Sequence, residues 1–348
     1  MEQRLGTVRT PAGVEVAYAT AGRGAPLLFV GGWLSHLELS WALPPERELL
    51  ETLAHGRTLI RYDRPGCGLS GHASVEPSVE PSVEPSVEAE LAVVEAVLTA
   101  CGVRRTDVVA SSLGVPLMVE WAARHPDSVG RLVLYGGWAR GADIATPEIR
   151  DHVVGIVAGH WGLGADVLTD IFAPDASAGT RAALRDYQQE ASTPETAAAL
   201  LRLCYDVDVT ASLGQVRAPT LVVHRDQDRA APLDQARVLA AGIPGARLEI
   251  LPGRSHIPYA GDRELLVRTI RTFLGLRNDE LPRRPTLTPR QREVAGLVAE
   301  GLTNREIGER LSIDERSAEG HLERIRLRLG VRSRAQVAAW WVASPEEP

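Results

Sequence analysis

No lysine occurs anywhere in the 348-residue chain; all 38 basic side chains are arginine, a pattern that reads as coding bias rather than chemistry. Set against 45 acidic residues they leave a net charge of −7, which excludes a generic polyanion binder but not a local basic patch. Cysteine is scarce: Cys67, Cys101 and Cys204 form an odd set with no short metal-ligand spacing, so neither a disulfide framework nor a zinc site is expected. Reduced thiols in a cytoplasmic protein fit that count. No run of 18 or more apolar residues is present, and the opening MEQRLGTVRT lacks an apolar segment, so neither a membrane span nor a signal peptide is expected. A phosphate-cradling glycine loop is missing too, Gly22-Arg23-Gly24 being too slight, and no cofactor or metal is expected. Nor does a phosphoacceptor receiver pattern precede the C-terminal region.

What remains is ordinary globular material. Hydrophobic residues make up 44% and charged residues 24%, and the length suits about two domains. Up to about residue 275, short β-branched runs alternate with helical stretches, the pattern of a mostly parallel α/β sheet. Strands are predicted over residues 14–18, 26–30, 58–62, 106–110, 131–135, 220–224 and 247–251. Several are almost wholly apolar, as strands covered on both faces should be. Between Trp138 and Leu213 the sequence shows no strand signal and reads as inserted helices, for example over 147–160 and 193–205. Residues 74–88 repeat SVEP; proline at every fourth position predicts an extended, solvated loop. Residues 278–284 (NDELPRR) read as a linker.

Three separated segments carry candidate chemistry. In the first, the predicted strand of Val108, Val109 and Ala110 runs through Ser111-Ser112-Leu113-Gly114 into a helix. Small residues two before and two after Ser112 are what a strained strand-to-helix elbow needs, and the helix aims its N-terminal amides at developing negative charge. The others are His224-Arg225-Asp226-Gln227-Asp228 and Pro252-Gly253-Arg254-Ser255-His256, each after a strand. This serine, acid, histidine order resembles the α/β-hydrolases over residues 5 to 276. Gly31-Gly32-Trp33 and the Asp63 to Ser70 run DRPGCGLS, each after a predicted strand, add to the resemblance. It implies Ser112 as nucleophile, His256 as general base and Asp228 as its orienting acid, with Leu113 and Trp33 supplying oxyanion-hole amides. Asp228 is preferred because Pro232 follows at the family spacing; Asp226 stays open. Two departures stand out: Ala110 replaces a usual glycine, and Gly31 replaces a usual histidine.

The last 62 residues change character. Thr288 with Gln291, and Thr303 with Glu306, form capping boxes; Asp314 and Ser333 can cap two more helices. An apolar stripe at Ala318, Leu322, Ile325 and Leu329 marks the third, and two helices about three residues apart suggest a helix-turn-helix. The stretches LTPRQREVAGLVAEGLTNREIGERLSI and HLERIRLRLGVRSRAQ resemble the LuxR-type DNA-binding domain. The resemblance implies double-stranded DNA as a partner, with helix 315–329 in the major groove and helix 335–341 available for pairing in a homodimer. Trp340-Trp341 fits such a contact or packing within its own domain. Thr303, Asn304, Arg316, Glu319, Gly320, Glu323, Arg324 and Arg328 are the candidate DNA-facing residues. Residues 287–348 hold ten arginines and ten acids, so this region is neutral. Arg324, Arg326, Arg328, Arg332 and Arg334 read as an acid-free cluster for phosphates. Glu319-Gly320 stands where related domains usually carry a lysine before the histidine, which makes Glu319 either a brake on binding or a reader of cytosine.

The expected architecture is therefore an α/β-hydrolase fold with an inserted helical cap (domain 1–277, cap about 138–212), a linker at 278–286, and a small all-α helix-turn-helix domain at 287–348. Two functions fit: a one-component, cytoplasmic transcription regulator that senses a small, mostly apolar molecule, or an active serine hydrolase for an ester or lactone that carries a DNA-binding tail. Slow hydrolysis that resets a sensor combines them.

Overall fold

The computed structural model describes residues 1–70, 84–278, 287–329, 331 and 333–342. These form two compact units that divide near residue 280.

In the first unit eight strands form one sheet: β1 (Gln3–Arg9), β2 (Glu15–Gly22), β3 (Ala25–Val30), β4 (Arg57–Tyr62), β5 (Thr106–Ser111), β6 (Val129–Tyr135), β7 (Thr220–Arg225) and β8 (Arg247–Leu251). Their order is β1-β2-β4-β3-β5-β6-β7-β8. The β1–β2 and β2–β4 pairs are antiparallel, and every later pair is parallel. All seven predicted strands lie in this sheet. The eighth, β1, was not predicted: its residues alternate weakly and stay half-buried or exposed, because an edge strand has a neighbour on one side only.

Ten α-helices belong to this unit among the described residues: α1 (Leu37–Ala42), α2 (Pro44–Ala54), α3 (Val87–Ala100), α4 (Gly114–Arg124), α5 (Pro147–Gly159), α6 (Trp161–Phe172), α7 (Ala178–Ala191), α8 (Pro194–Asp206), α9 (Leu233–Gly242) and α10 (Arg263–Phe273). Strand pleating sorts the core into two layers. Val108, Ala110, Leu132 and Leu134 point into one, and Val109, Val133, Tyr135 and Leu221 into the other. Helices α5 to α8 fill the interval between β6 and β7, where no strand was expected.

Most of the SVEP repeat, from residue 74 to 83, lies outside the described residues, as does the expected linker beyond Asn278. The end of the repeat is not a loop, which corrects the expectation. Ser86 accepts the Ala89 N–H at 3.2 Å and caps α3, so Val87 and Glu88 are helical. No proline follows Pro85 there, and acids in a first turn suit the helix dipole.

The second unit holds α11 (Pro289–Ala299), α12 (Asn304–Leu311), α13 (Glu315–Leu329) and α14 (Arg334–Val342). Both predicted capping boxes are formed. Asp314 accepts the Ser317 N–H at 2.8 Å, and Ser333 accepts that of Gln336 at 3.2 Å. Val294, Ala295, Ile307, Ala318, Ile325 and Val337 are fully buried in its core. No described helix is long and apolar enough to cross a membrane.

Candidate functional site

Ser112 sits at the end of β5, where the chain turns sharply into α4. Its φ is +55°, a left-handed conformation that a non-glycine residue adopts only under local constraint. The constraint is visible. The Ser112 N–H donates to the Tyr135 carbonyl at 3.0 Å, and the Val115 N–H donates to the Ser112 carbonyl at 2.9 Å. Gly114 makes the turn fit: a Cβ there would lie 2.4 Å from the Val30 carbonyl oxygen. Ala110, the departure two residues before the serine, is fully buried between β3 and β6.

Distant segments meet at this elbow. His256 Nε2 lies 2.9 Å from Ser112 Oγ, and His256 Nδ1 lies 2.8 Å from Asp228 Oδ2. The other oxygen of Asp228 accepts the N–H groups of Ala230 and Ala231 at 2.8 and 3.3 Å. Burial alone would raise the Asp228 carboxyl, but His256 and these donors hold it below the usual carboxylate range. Of the two aspartates, it is Asp228 that touches the imidazole. Asp226 instead accepts the Gly253 N–H at 2.9 Å and braces the loop that carries His256.

Leu113 is the N-cap residue of α4 and is fully buried; Trp33 follows the glycine pair after β3 and is 7% exposed. Gly32, next to Trp33, lies against the elbow: a side chain there would reach Ser112 Cβ at 3.6 Å. The Trp33 ring meets Trp161 and Phe172 of α6 edge-on, with centroids 6.0 and 6.5 Å apart. Ser112 and His256 are 9% and 5% exposed, so the triad is covered. Among the described residues no group of three or more His, Cys, Asp or Glu side chains is placed to hold a metal ion.

Several supporting residues escaped the sequence reading. Arg225 Nε donates to the Tyr135 hydroxyl at 2.9 Å, beneath the His256 loop. Arg64 donates to the carbonyls of Gly31 and Gly32 and meets Glu90. Arg64 and Arg225 lie inside segments already singled out, but nothing in their spacing announces a contact. Phe172 and Glu90 carry no signal at all.

In the second unit, Ser312 at φ +54° ends α12 and turns the chain into α13, three residues on. Glu315, Arg316, Glu319, Glu323 and Arg324 are exposed on α13, with Gly320 half-buried among them. Thr303 is taken up in its capping box with Glu306, and Asn304 Oδ1 accepts from Arg334 at 2.9 Å. The expected acid-free arginine cluster is not free. Arg326 pairs with Glu323, Arg328 donates to Gln291 at 2.9 Å, and Arg334 also reaches the Leu302 carbonyl. Helical spacing places Glu323 three residues before Arg326, where it pairs. Arg332 lies outside the described residues. Trp340 and Trp341 pack against the domain's own core, with the Trp341 ring over Gly296.

Comparison with known proteins finds a family match for each unit. Residues 27–269 match the alpha/beta hydrolase family, and residues 285–341 match the luxR family of bacterial regulatory proteins. The pyrrolizixenacetamide deacetylase of Xenorhabdus hominickii is 25% identical over 267 residues, covering 75% of this chain and 94% of that enzyme. A 2-hydroxymuconate semialdehyde hydrolase of Pseudomonas putida is 30% identical over 197 residues, covering 51% and 66%. An esterase structure from Exiguobacterium antarcticum superposes with a TM-score of 0.67 at 18% identity, over 77% of this chain and 98% of that one; it shows the fold. The chain belongs to the alpha/beta hydrolase family and ends in a LuxR-type DNA-binding domain.

Proposed function

We propose that this α/β-hydrolase with a DNA-binding terminus is a one-component transcription regulator whose front domain (residues 1–277) senses a small, mostly apolar molecule. Residues 278–286 act as linker, and 287–348 bind double-stranded DNA in the cytoplasm as a homodimer. The observation that carries this reading is the joining of a buried triad, roofed by Trp33, Trp161 and Phe172, to a LuxR-type domain in one chain. Aromatic walls favour an apolar ligand. Ligand would act through the cap, and only by binding one arrangement of the protein more tightly than another. Arg316, Glu319, Gly320, Glu323 and Arg324 face the groove in this reading. Thr303, Asn304 and Arg328 support them.

A second reading has one specific observation behind it: the serine, imidazole and carboxylate already stand at 2.9 and 2.8 Å. Ser112 Oγ would attack an ester or lactone carbonyl while its proton passes to His256 Nε2. The Leu113 and Trp33 amides would take the negative oxygen, and His256 would return the proton to the leaving alcohol. Water then repeats the sequence on the acyl-serine. Deacetylation and hydrolysis are what the names of the relatives describe.

Both readings are tested together. Wild type and Ser112→Ala are assayed with p-nitrophenyl butyrate, and DNA affinity is measured before and after an alkyl fluorophosphonate occupies Ser112. A shift in DNA affinity of about fivefold or more, the lower range of allosteric coupling, supports the regulator. Rapid serine-dependent turnover without DNA binding overturns it in favour of the enzyme.

A further inference from the structure

The peptides after β3 are held from behind by one side chain. Arg64 donates from Nε to the Gly32 carbonyl at 2.8 Å and from Nη2 to the Gly31 carbonyl at 2.9 Å, while its Nη1 meets the Glu90 carboxylate. Both side chains are fully inside, Arg64 on the loop after β4 and Glu90 in the first turn of α3. The Arg64 backbone is fixed as well, its N–H donating to Ser35 Oγ at 2.9 Å. Burial works against both charges, and the Glu90 carboxylate keeps the guanidinium above its ordinary value.

We propose that Arg64, braced by Glu90, is the positioning residue that forms the oxyanion hole by fixing the Gly31-Gly32-Trp33 peptides. The inference rests on the reading of Ser112 as nucleophile and of the Trp33 amide as an oxyanion donor. A peptide is planar, with its C=O and N–H pointing to opposite sides. Arg64 draws the Gly32 carbonyl to its own side, so the Trp33 N–H faces the other way. Ser112 lies close against this loop, within contact reach of a side chain at Gly32. Two consecutive glycines cannot keep that orientation themselves: they have no side chains to anchor and wide freedom in φ and ψ. If the Gly32–Trp33 peptide flipped, its carbonyl oxygen would enter the hole and repel the developing oxyanion. The clamp also accounts for the tolerated departure at Gly31. Where the family usually carries a histidine, the backbone here is steadied through its carbonyls. A buried ion pair stabilises a fold poorly compared with apolar packing. Orientation is what this one supplies.

The test compares wild type with Arg64→Lys and with Arg64→Met/Glu90→Gln, a double variant that leaves no stranded buried charge. Reading out melting temperature separates folding from chemistry. With p-nitrophenyl butyrate, kcat of the double variant is expected to fall about 100-fold, the loss typical of one missing oxyanion donor, while KM changes by less than about threefold. Inhibition by phenylboronic acid, whose serine adduct places a tetrahedral oxygen in the same hole, should weaken by a similar factor. Arg64→Lys keeps a charge opposite Glu90 but cannot grip both carbonyls, and should fall between the two. A folded double variant with wild-type kcat and boronate affinity overturns the clamp and leaves the nucleophile standing. So does a kcat loss that merely tracks the fraction of titratable active sites. A wild type that neither turns over through Ser112 nor binds the boronate overturns the nucleophile reading and the clamp together.

Discussion

The backbone N–H of His256 donates to the carbonyl of Phe172, the last residue of α6, at 2.7 Å. The Ser255 hydroxyl donates to the same oxygen at 3.2 Å, and the Phe172 ring lies 5.5 Å from the imidazole. The His256 imidazole, proposed above as the general base, is therefore held by α6 as well as by the loop after β8. A movement of the end of α6 would therefore bear on the imidazole, as the proposed sensor requires.

Phe172→Ala keeps the carbonyl but removes the ring that bridges Trp33 and His256. A half-buried phenylalanine should cost about 2 kcal/mol of stability, less than a fully buried one. Urea denaturation measures that loss, and serine-dependent ester turnover should fall alongside it.

Asp228 and Asp226 can be told apart by isosteric substitution. Asp228→Asn should lower kcat by about 10³–10⁴-fold, because the imidazole is then held in the wrong tautomer. Asp226→Asn retains an oxygen for the Gly253 amide and should stay near wild type. Equal losses in the two variants would contradict the geometry at His256.

Glu46, in the first turn of α2, gives stability a pH signature. Burial, opposed by the nearby Arg61, pushes its carboxyl from 4.5 up to about 7, and its Oε2 has no hydrogen-bond partner. Between those values the folded chain holds a proton that the unfolded chain releases. Its contribution is full below 4.5 and is lost as pH rises through 7. Glu46→Gln should recover about 1–3 kcal/mol at pH 8, seen as a smaller drop in melting temperature between pH 5.5 and pH 8. Buried His224, held below 6.5 mainly by desolvation, acts in the opposite sense. It costs stability as pH falls below 6.5, so His224→Gln should flatten the acid side of the same curve.

Helix α13, proposed above to face DNA, has two improvable positions. Nothing lies closer than 3.9 Å to a Cβ placed on Gly320, so Gly320→Ala should stabilise the domain by about 0.5–1 kcal/mol in thermal melts. Glu319→Lys, at an exposed site, should tighten DNA binding and steepen its dependence on salt by about one counterion. Weaker binding in that variant would make Glu319 a base reader.

Legibility in the sequence followed the range of the interactions. The C-terminal helices announce themselves within four residues, through Thr288 with Gln291, Thr303 with Glu306, and the stripe from Ala318 to Ile325. The central strands were visible because burial on both faces leaves them almost wholly apolar. Strand β1 was not, since its place depends on pairing with β2 rather than on its own composition. Ser112 and His256 were singled out through local motif and chain order, and the structure places their side chains 2.9 Å apart. Phe172 and Glu90 act on the site only after folding brings them 84 and 26 residues across the chain to His256 and Arg64. Arg328 and Arg334 looked available in the sequence because their partners, Gln291 and Asn304, sit on other helices.

One amide oxygen in the second unit serves two masters. Gln291 Oε1 accepts the Thr288 N–H at 3.0 Å and the Arg328 guanidinium at 2.9 Å. The doorway by which the polypeptide enters this domain and the far end of α13 thus share a single fastener. Replacing Gln291 would therefore release Thr288 at the start of α11 and Arg328 at the far end of α13 in one step, leaving the apolar interior untouched.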